Sequence, residues 1–445
     1  MEIGSSSQQK RSTTTDHMSI EIVNDDNLLS SIKQKLLCAP PSHSVYRVPK
    51  HLCKEHEESY YPALVSIGPF HRGRENLKAT EGQNWQYFNT LLYREPNTEQ
   101  ILDGFVKALR NAEQKAREFY GEKITMSSDE FAEMLLLDGC FIIELFLEFY
   151  FKNLRRREDP FFTSQDFIRR LRCDLILFEN QLPFFVLDQI FRLVHIPKHL
   201  RVPSLFVLAS RFFKKIIQGD RAQFDNDEYA PHTHHLLDLI RQHYLPTIVE
   251  AEVLSSGGEA IVPQATQLSA IGIRVERAIS ESPANISLIK GKLEIPPLEI
   301  NAYSEILFRN LVAMEYCDPH CTKHFTSYVV LMKGLVRSRR DARLLRGKEI
   351  LVGVHEKEGM IVQFFQRLVN EDLNEKDFYY KGTCEGISEY QKRGDGGGVC
   401  WKNVRQVYHT SHLGIVGLSL VVLFLVVLFT GGLIVAVYFL SHQFQ

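Results

Sequence analysis

The sequence predicts a mainly α-helical globular domain with a few short strands, followed by one C-terminal transmembrane helix. Three observations predict it. Apolar residues recur at helical spacing through most of the chain, strand signals are thin, and residues 413–440 form one uncharged apolar run. The 445 residues are 44% hydrophobic and 24% charged, enough for a real core and ordinary for a globular protein. Lysine and arginine number 52 against 54 acidic residues, and the net charge of −2 gives no push towards nucleic acid. Eight cysteines are too sparse for a disulfide framework. Cys140 and Cys173 lie in apolar runs and read as core.

Along the chain, residues 1–43 are polar, lack the apolar stretch of a secretory signal and read as a disordered tail. A helical domain over 44–380 follows. SVYRV (44–48) and PALVSIGPF (62–70) are short strand candidates, the second ending in the Gly68-Pro69 turn signal. A helix spans 97–120, with Asn97 and Gln100 as a capping box and Ile101, Phe105, Ala108, Ala112, Ala116 and Phe119 on one face. Ser127 and Glu130 form a second box before FAEMLLLDGCFIIELFLEFYF, which is apolar nearly all round and therefore central. Thr163 and Asp166 open a third helix, which runs into CDLILFENQLPFFVLDQIF (173–191). Others are expected at 204–218, 234–249, 299–316, 325–346 and 357–372. Residues 219–233, 253–264 and 381–400 read as loops. The glycine-rich GDGGG at 394–398 makes 381–412 a flexible juxtamembrane tether.

From Leu413 to Leu440 no side chain is charged, and a spanning helix needs roughly 20 residues. A five-residue tail, 441–445, follows. Lys402 and Arg405 precede the span and no lysine or arginine follows it, which favours a cytosolic N-terminal side. The expectation is a single-pass protein, at the plasma membrane, with its large domain in the cytosol. Against this stands one N-glycosylation sequon, Asn285-Ile286-Ser287, usable only in the lumen. Gly432 and Ala436 form one small-residue pair through which the span could dimerise.

Familiar catalytic signatures are missing, including the nucleophile elbow, the phosphate-binding loop and His-Glu-x-x-His. No cofactor is implied. In CDPHCTKH, residues Cys317, His320, Cys321 and His324 are candidate zinc ligands, with Cys317, Cys321 and His324 on one helical face. Pro319 interrupts that helix, so a helix end with incidental thiols is the plainer reading. His232, His234 and His235 sit at a loop-to-helix junction, where capping explains them as well as metal. In RSRRDARLLRGK (337–348), Arg339, Arg343 and Arg346 share a face that anionic lipid would suit, or a solvated helix end complementing its dipole. Glu179, Asn180 and Gln181 precede Pro183, which has no N–H and disfavours helix before it. The first helix should stop near Asn180 and the next begin at about Pro183. A break inside a core leaves orphan backbone groups. Asn180 then suits a left-handed cap, Gln181 the freed carbonyls, and Glu179 the N–H groups of the next helix. This polar cluster reads as scaffold, with a general acid at Glu179 as the competing reading.

Five segments come in a specific order: VYRVPKHLCKEHEESYYPALVSIGPFHRG (45–73), LLLDGCFIIELF (135–146), DLILFENQLPFFVLDQIF (174–191), IPPLEINAYSEILFRNLVAMEYC (295–317) and SYVVLMKGLVRSRRDARLLRGKEI (327–350). With them, roughly residues 44–440 resemble the plant domain-of-unknown-function family 247. The resemblance implies a plant protein with a single C-terminal span and assigns no catalytic residue. Some grass members of the family are implicated as pollen-side determinants of self-incompatibility. The resulting expectation is a membrane-anchored, non-enzymatic recognition or signalling protein with a protein partner. An enzyme with a site near Glu179 or Cys317–His324, and a passive membrane scaffold, are the alternatives.

The topology is testable in microsomes. An N-terminal tag is expected to be digested by protease without detergent, and Asn285 to carry no glycan. A protected tag, with a glycosidase-sensitive shift abolished by Asn285→Gln, would reverse the orientation.

Overall fold

The computed structural model describes residues 45–395 apart from 55, 95–96, 158, 197–199, 218–232, 248–261, 281, 354–357 and 370–376. The expected tail, the span at 413–440 and nearly all of the loops at 219–233 and 253–264 lie outside the described residues. Among those described, no helix is long and apolar enough to cross a membrane.

Helices α1 (Lys78–Leu92), α2 (Thr98–Glu118) and α3 (Ser128–Tyr150) begin the helical body. α3 is its axis: every residue from Met134 to Glu148 is buried, because α1 and α2 cover it from one side and later helices from the other. Burying each large aliphatic or aromatic side chain there stabilises by about 1.5–3 kcal/mol. Ser127 and Glu130 cap the helix reciprocally, at 3.2 and 2.8 Å. α2 buries Phe105, Leu109, Ala112 and Ala116 along one stripe. Asn97 occupies its N-cap position, but its side chain makes no capping bond, so the box expected there does not form. At the other end Arg117 closes the turn into α3 by donating to the carbonyls of Ile124, Met126 and Ser127.

α4 (Gln165–Leu175) is capped by Ser164, not by Thr163. It stops at Leu175, earlier than expected, and the next helix, α5 (Phe184–Leu193), begins just after Pro183. Residues 176–183 between them are non-helical and buried. α6 (Leu205–Phe212) and α7 (Leu236–Gln242) are shorter than their apolar patterns suggest, and α8 (Ala265–Ala270) follows. α5 and α6 both pack on α3, completing its cover.

The strands lie where the sequence did not place them. Neither 44–48 nor 62–70 forms one, and Val45 makes only an isolated bridge to Tyr120. Instead β1 (Arg274–Arg277), β2 (Ser287–Ile289) and β3 (Lys292–Ile295) form a sheet in the order β1-β3-β2. β1 runs parallel to β3 and β2 antiparallel. Lys290 and Gly291, at φ 49° and 73°, make the two-residue turn between β2 and β3, whose backbone matches the twist of a hairpin. β4 (Leu298–Glu299) pairs in parallel with β5 (Leu351–Val352). With two to four residues each, and charges interleaved, these strands carry almost no periodic signal. The helices that follow these strands are α9 (Ser304–Cys317), α10 (His324–Leu335), α11 (Arg339–Gly347), α12 (Glu358–Leu368) and α13 (Lys381–Asp395), and one short turn of α-helix, Lys50–Cys53, precedes α1. The single helix expected over 325–346 is two helices, because Ser338 and Asp341 form a capping box that starts α11. Residues 381–395, assigned to the tether, are helical.

The PALVSIG stretch is irregular, bending at Ala63, Leu64 and Gly68, and has no strand beside it. Its backbone is held by side chains. Asp174, at the end of α4, accepts from the N–H groups of Ala63, Leu64 and Val65 at 3.0, 2.6 and 2.9 Å. Asn180 accepts from Ile67 at 2.7 Å and donates to the Val65 carbonyl at 3.1 Å. Asp138, in the middle of α3, accepts from Gly68 at 2.9 Å. Gly68 is required twice: its φ is +75°, and a Cβ there would lie 2.7 Å from the Gln181 carbonyl oxygen.

Asp174→Ala leaves three N–H groups without their acceptor, two of them partly buried and one buried. A loss of about 3–5 kcal/mol is expected in urea unfolding, and a smaller loss for Asp174→Asn, which keeps one oxygen. A cost for Asp174→Ala below about 1 kcal/mol would refute this role.

Candidate functional site

The buried trio completes the same arrangement. Gln181 donates to the carbonyls of Leu175 and Leu177 at 2.9 and 2.7 Å, the groups freed where α4 stops, and accepts from Leu237 N at 3.2 Å. Asn180 is not left-handed: among the described non-glycine residues only Lys290 and Glu349 have positive φ. Glu179 does not cap α5. Its Oε1 accepts from Val48 N at 2.7 Å, and its Oε2 lies 3.5 Å from Arg47 Nη1 and 3.4 Å from His71 Nε2. The N-terminal segment takes this carboxylate because the chain from Val45 to Gly68 lies across the break between α4 and α5.

This geometry also gathers Cys53 and Cys317 near Glu179, joining two regions the sequence treats separately. Burial, and then the Glu179 charge, push the Cys53 thiol up to about 11 and the Cys317 thiol up to about 12. His71 is pushed down to about 3 by burial, then by Arg74 and Arg47. At neutral pH both sulfurs are thiols and the imidazole is uncharged, so the group holds no activated nucleophile.

The shared helical face on which the zinc reading rested does not form. α9 ends at Cys317 and α10 begins at His324, so Cys317, Cys321 and His324 share no helical face. His320 contributes its N–H to Asp318, burial pushes Cys321 up to about 12, and the His324 ring packs edge-on against Tyr379. Among the described residues no group of three potential ligands is placed to hold a metal. The connector is instead organised by Glu315, which accepts from Phe325 N and Thr326 N at the start of α10 and takes Arg241 at 2.7 Å. Of the three histidines, His232 lies outside the described residues, His234 Nδ1 bonds Asp238 at 2.9 Å and His235 caps α7.

Arg343 and Arg346 both approach Glu358 on α12, at 3.7 and 3.6 Å. Arg339 opens α11, at the positive end of its dipole. The three therefore do not form an unpaired cationic stripe. The sequon asparagine, Asn285, is buried, donating to Thr247 Oγ1 and Ser280 Oγ at 2.8 and 2.7 Å. A glycan on that nitrogen would displace these bonds.

A surface cleft of about 770 Å³ was not visible in the sequence. Lys214 and Lys215, just beyond α6, Arg277 at the end of β1, Glu299 in β4 and Asn301 and Tyr303 before α9 line it. Apolar wall comes from Ile217, Pro297 and Val352. Arg172 ties the cleft to the core by donating to the Phe212 carbonyl at 2.8 Å and the Tyr303 hydroxyl at 3.4 Å. Only the adjacent lysines give a local signal, and they read as an ordinary helix end.

The chain matches the model of the DUF247 family, a plant protein family of unknown function, over residues 45–428. The chain belongs to that family. Two curated relatives of this DUF247 protein come from Arabidopsis thaliana. UPF0481 protein At3g47200 is 28% identical over 392 residues, covering 82% of this chain and 80% of its own. Putative UPF0481 protein At3g02645 is 21% identical over 443 residues, covering 78% and 82%. No solved structure matches.

The DUF247 core also buries a carboxyl pair that the sequence reading passed over. Glu144 and Glu148 lie one turn apart on α3, both fully buried. Arg94 bonds Glu144 Oε1 and Arg156 Nε stands 3.7 Å from Glu148 Oε1, whereas Glu144 Oε2 and both oxygens of Glu148 have no donor within hydrogen-bond distance. A proton shared between the two supplies one. Burial, then the charges of Glu144 and Asp159, push the Glu148 carboxyl up to about 8. The folded chain thus binds a proton that the unfolded chain releases above about 4.5. The stability this contributes is complete below that pH and is lost as pH rises to about 8. Glu148→Gln needs no such proton. Measured by urea unfolding, the variant is expected to gain on the parent by about 1–3 kcal/mol between pH 5 and pH 8. An unchanged difference would place the proton elsewhere.

Proposed function

We propose that this DUF247 protein is a membrane-tethered recognition protein that works by binding and not by catalysis. One observation carries the reading. Asp138, Asp174, Asn180 and Gln181, which catalysis would recruit, accept backbone N–H groups in the core. The open cleft presents cations around a single carboxylate, with no paired acid and base. The uncharged run at 413–440 supports the tether, and the buried Asn285 supports a cytosolic domain. A rigid body with a cationic cleft suits recognition of an anionic group at a membrane.

Proximity labelling in plant tissue with the full-length chain is expected to mark a reproducible set of membrane-associated proteins, and to lose most of that label when 413–440 is deleted. An identical labelled set with and without the deletion would refute the tethered reading.

A further inference from the structure

We propose that the cleft beside Lys214 and Lys215 binds a phosphorylated polyol, an inference that rests on reading the chain as a binding protein. Both lysines are exposed, and among the described residues neither ammonium has an ion-pair or hydrogen-bond partner. Cations at the end of α6 complement its dipole, but that does not account for Arg277, which β1 brings to the same cleft. Arg277 is held by Glu349 at 2.7 Å, and both side chains are largely exposed. Such surface pairs stabilise little, so a ligand anion can take the guanidinium over.

Three cations around one anionic group match a phosphomonoester, whose charge is about −1.5 to −2 with three acceptor oxygens. A lone carboxylate carries less charge and fewer acceptors. Glu299 narrows the choice. It repels a second anion on its own side, and it accepts hydroxyl protons. Asn301 beside it fixes the wall, accepting from Tyr303 N at 3.0 Å, while Ile217, Pro297 and Val352 cover the carbon skeleton. The volume of about 770 Å³ takes a six-carbon ring bearing a phosphate. Such a group occurs free in solution and as a lipid headgroup, and the shared chemistry is the phosphorylated ring.

The test is calorimetric titration of the full-length chain in phosphatidylcholine nanodiscs with inositol 1-phosphate, inorganic phosphate and citrate. The inositol phosphate is expected to bind one-to-one, more tightly than citrate, and to weaken with added salt. K214Q/K215Q is expected to lose about tenfold or more in affinity with unchanged circular dichroism. E299Q should weaken the inositol phosphate and leave inorganic phosphate unaffected. Nanodiscs that also carry phosphatidylinositol 4-phosphate separate the sources: lost binding of the soluble probe assigns the headgroup, and retained binding the free ligand. No binding, citrate binding as tightly, or inositol phosphate binding indifferent to K214Q/K215Q would overturn the proposal. Partner labelling that persists without inositol phosphate binding removes this ligand and keeps the recognition reading. Inositol phosphate binding without partner labelling does the reverse.

Discussion

An irregular segment crosses this helical protein without a strand to pair with, and the rest of the fold is arranged to satisfy it. Buried N–H groups that find no acceptor each cost about 1–3 kcal/mol. Here Asp174 alone takes three, while Asn180 and Asp138 take the next two that bond. That requirement explains why α4 stops at Leu175. If it ran on, Asn180 would point along a helix and Ile67 would lose its acceptor. It also explains an aspartate in the middle of the most apolar helix of the chain. Asp138 faces Gly68, Asn84 and the part-exposed Arg72, and is itself fully buried.

The same economy runs through the second half. Glu315 and Arg241 are buried together, and the carboxylate also caps α10. Removing one member of such a pair typically costs about 3–5 kcal/mol, because the other charge is left without compensation. The consequence for function is direct. Polar groups that would attract a mechanistic reading are engaged in holding the fold, and their protonation follows burial: the Cys317 and Cys321 thiols are pushed up to about 12. Side chains that remain available to a ligand therefore lie at the surface.

The candidate sites show what sequence spacing can and cannot carry. Cys317, Cys321 and His324 share a face only if a helix continues through them, and the helix ends at the first. The basic face at Arg339, Arg343 and Arg346 is a true helical spacing, yet Glu358 from the next helix meets two of its members. The cleft inverts the case. Its lining comes from four stretches between 214 and 352, none of which is unusual alone. Its only local trace is a pair of lysines.

By itself the sequence determined the mainly helical class, the central place of α3, the Ser127–Glu130 cap, the helix break before Pro183 and the uncharged run at 413–440. Each rests on side-chain spacing within a few turns of one segment. Only the tertiary structure decided where Asp174 and Asn180 find their partners, 109 and 113 positions away at Val65 and Ile67. The donors are backbone N–H groups, which every residue but proline carries alike. A segment held in this way therefore leaves no mark of its own in residue type. The short strands at 274–299 escaped for a related reason: two to four residues hold too little alternation to distinguish a strand from a loop.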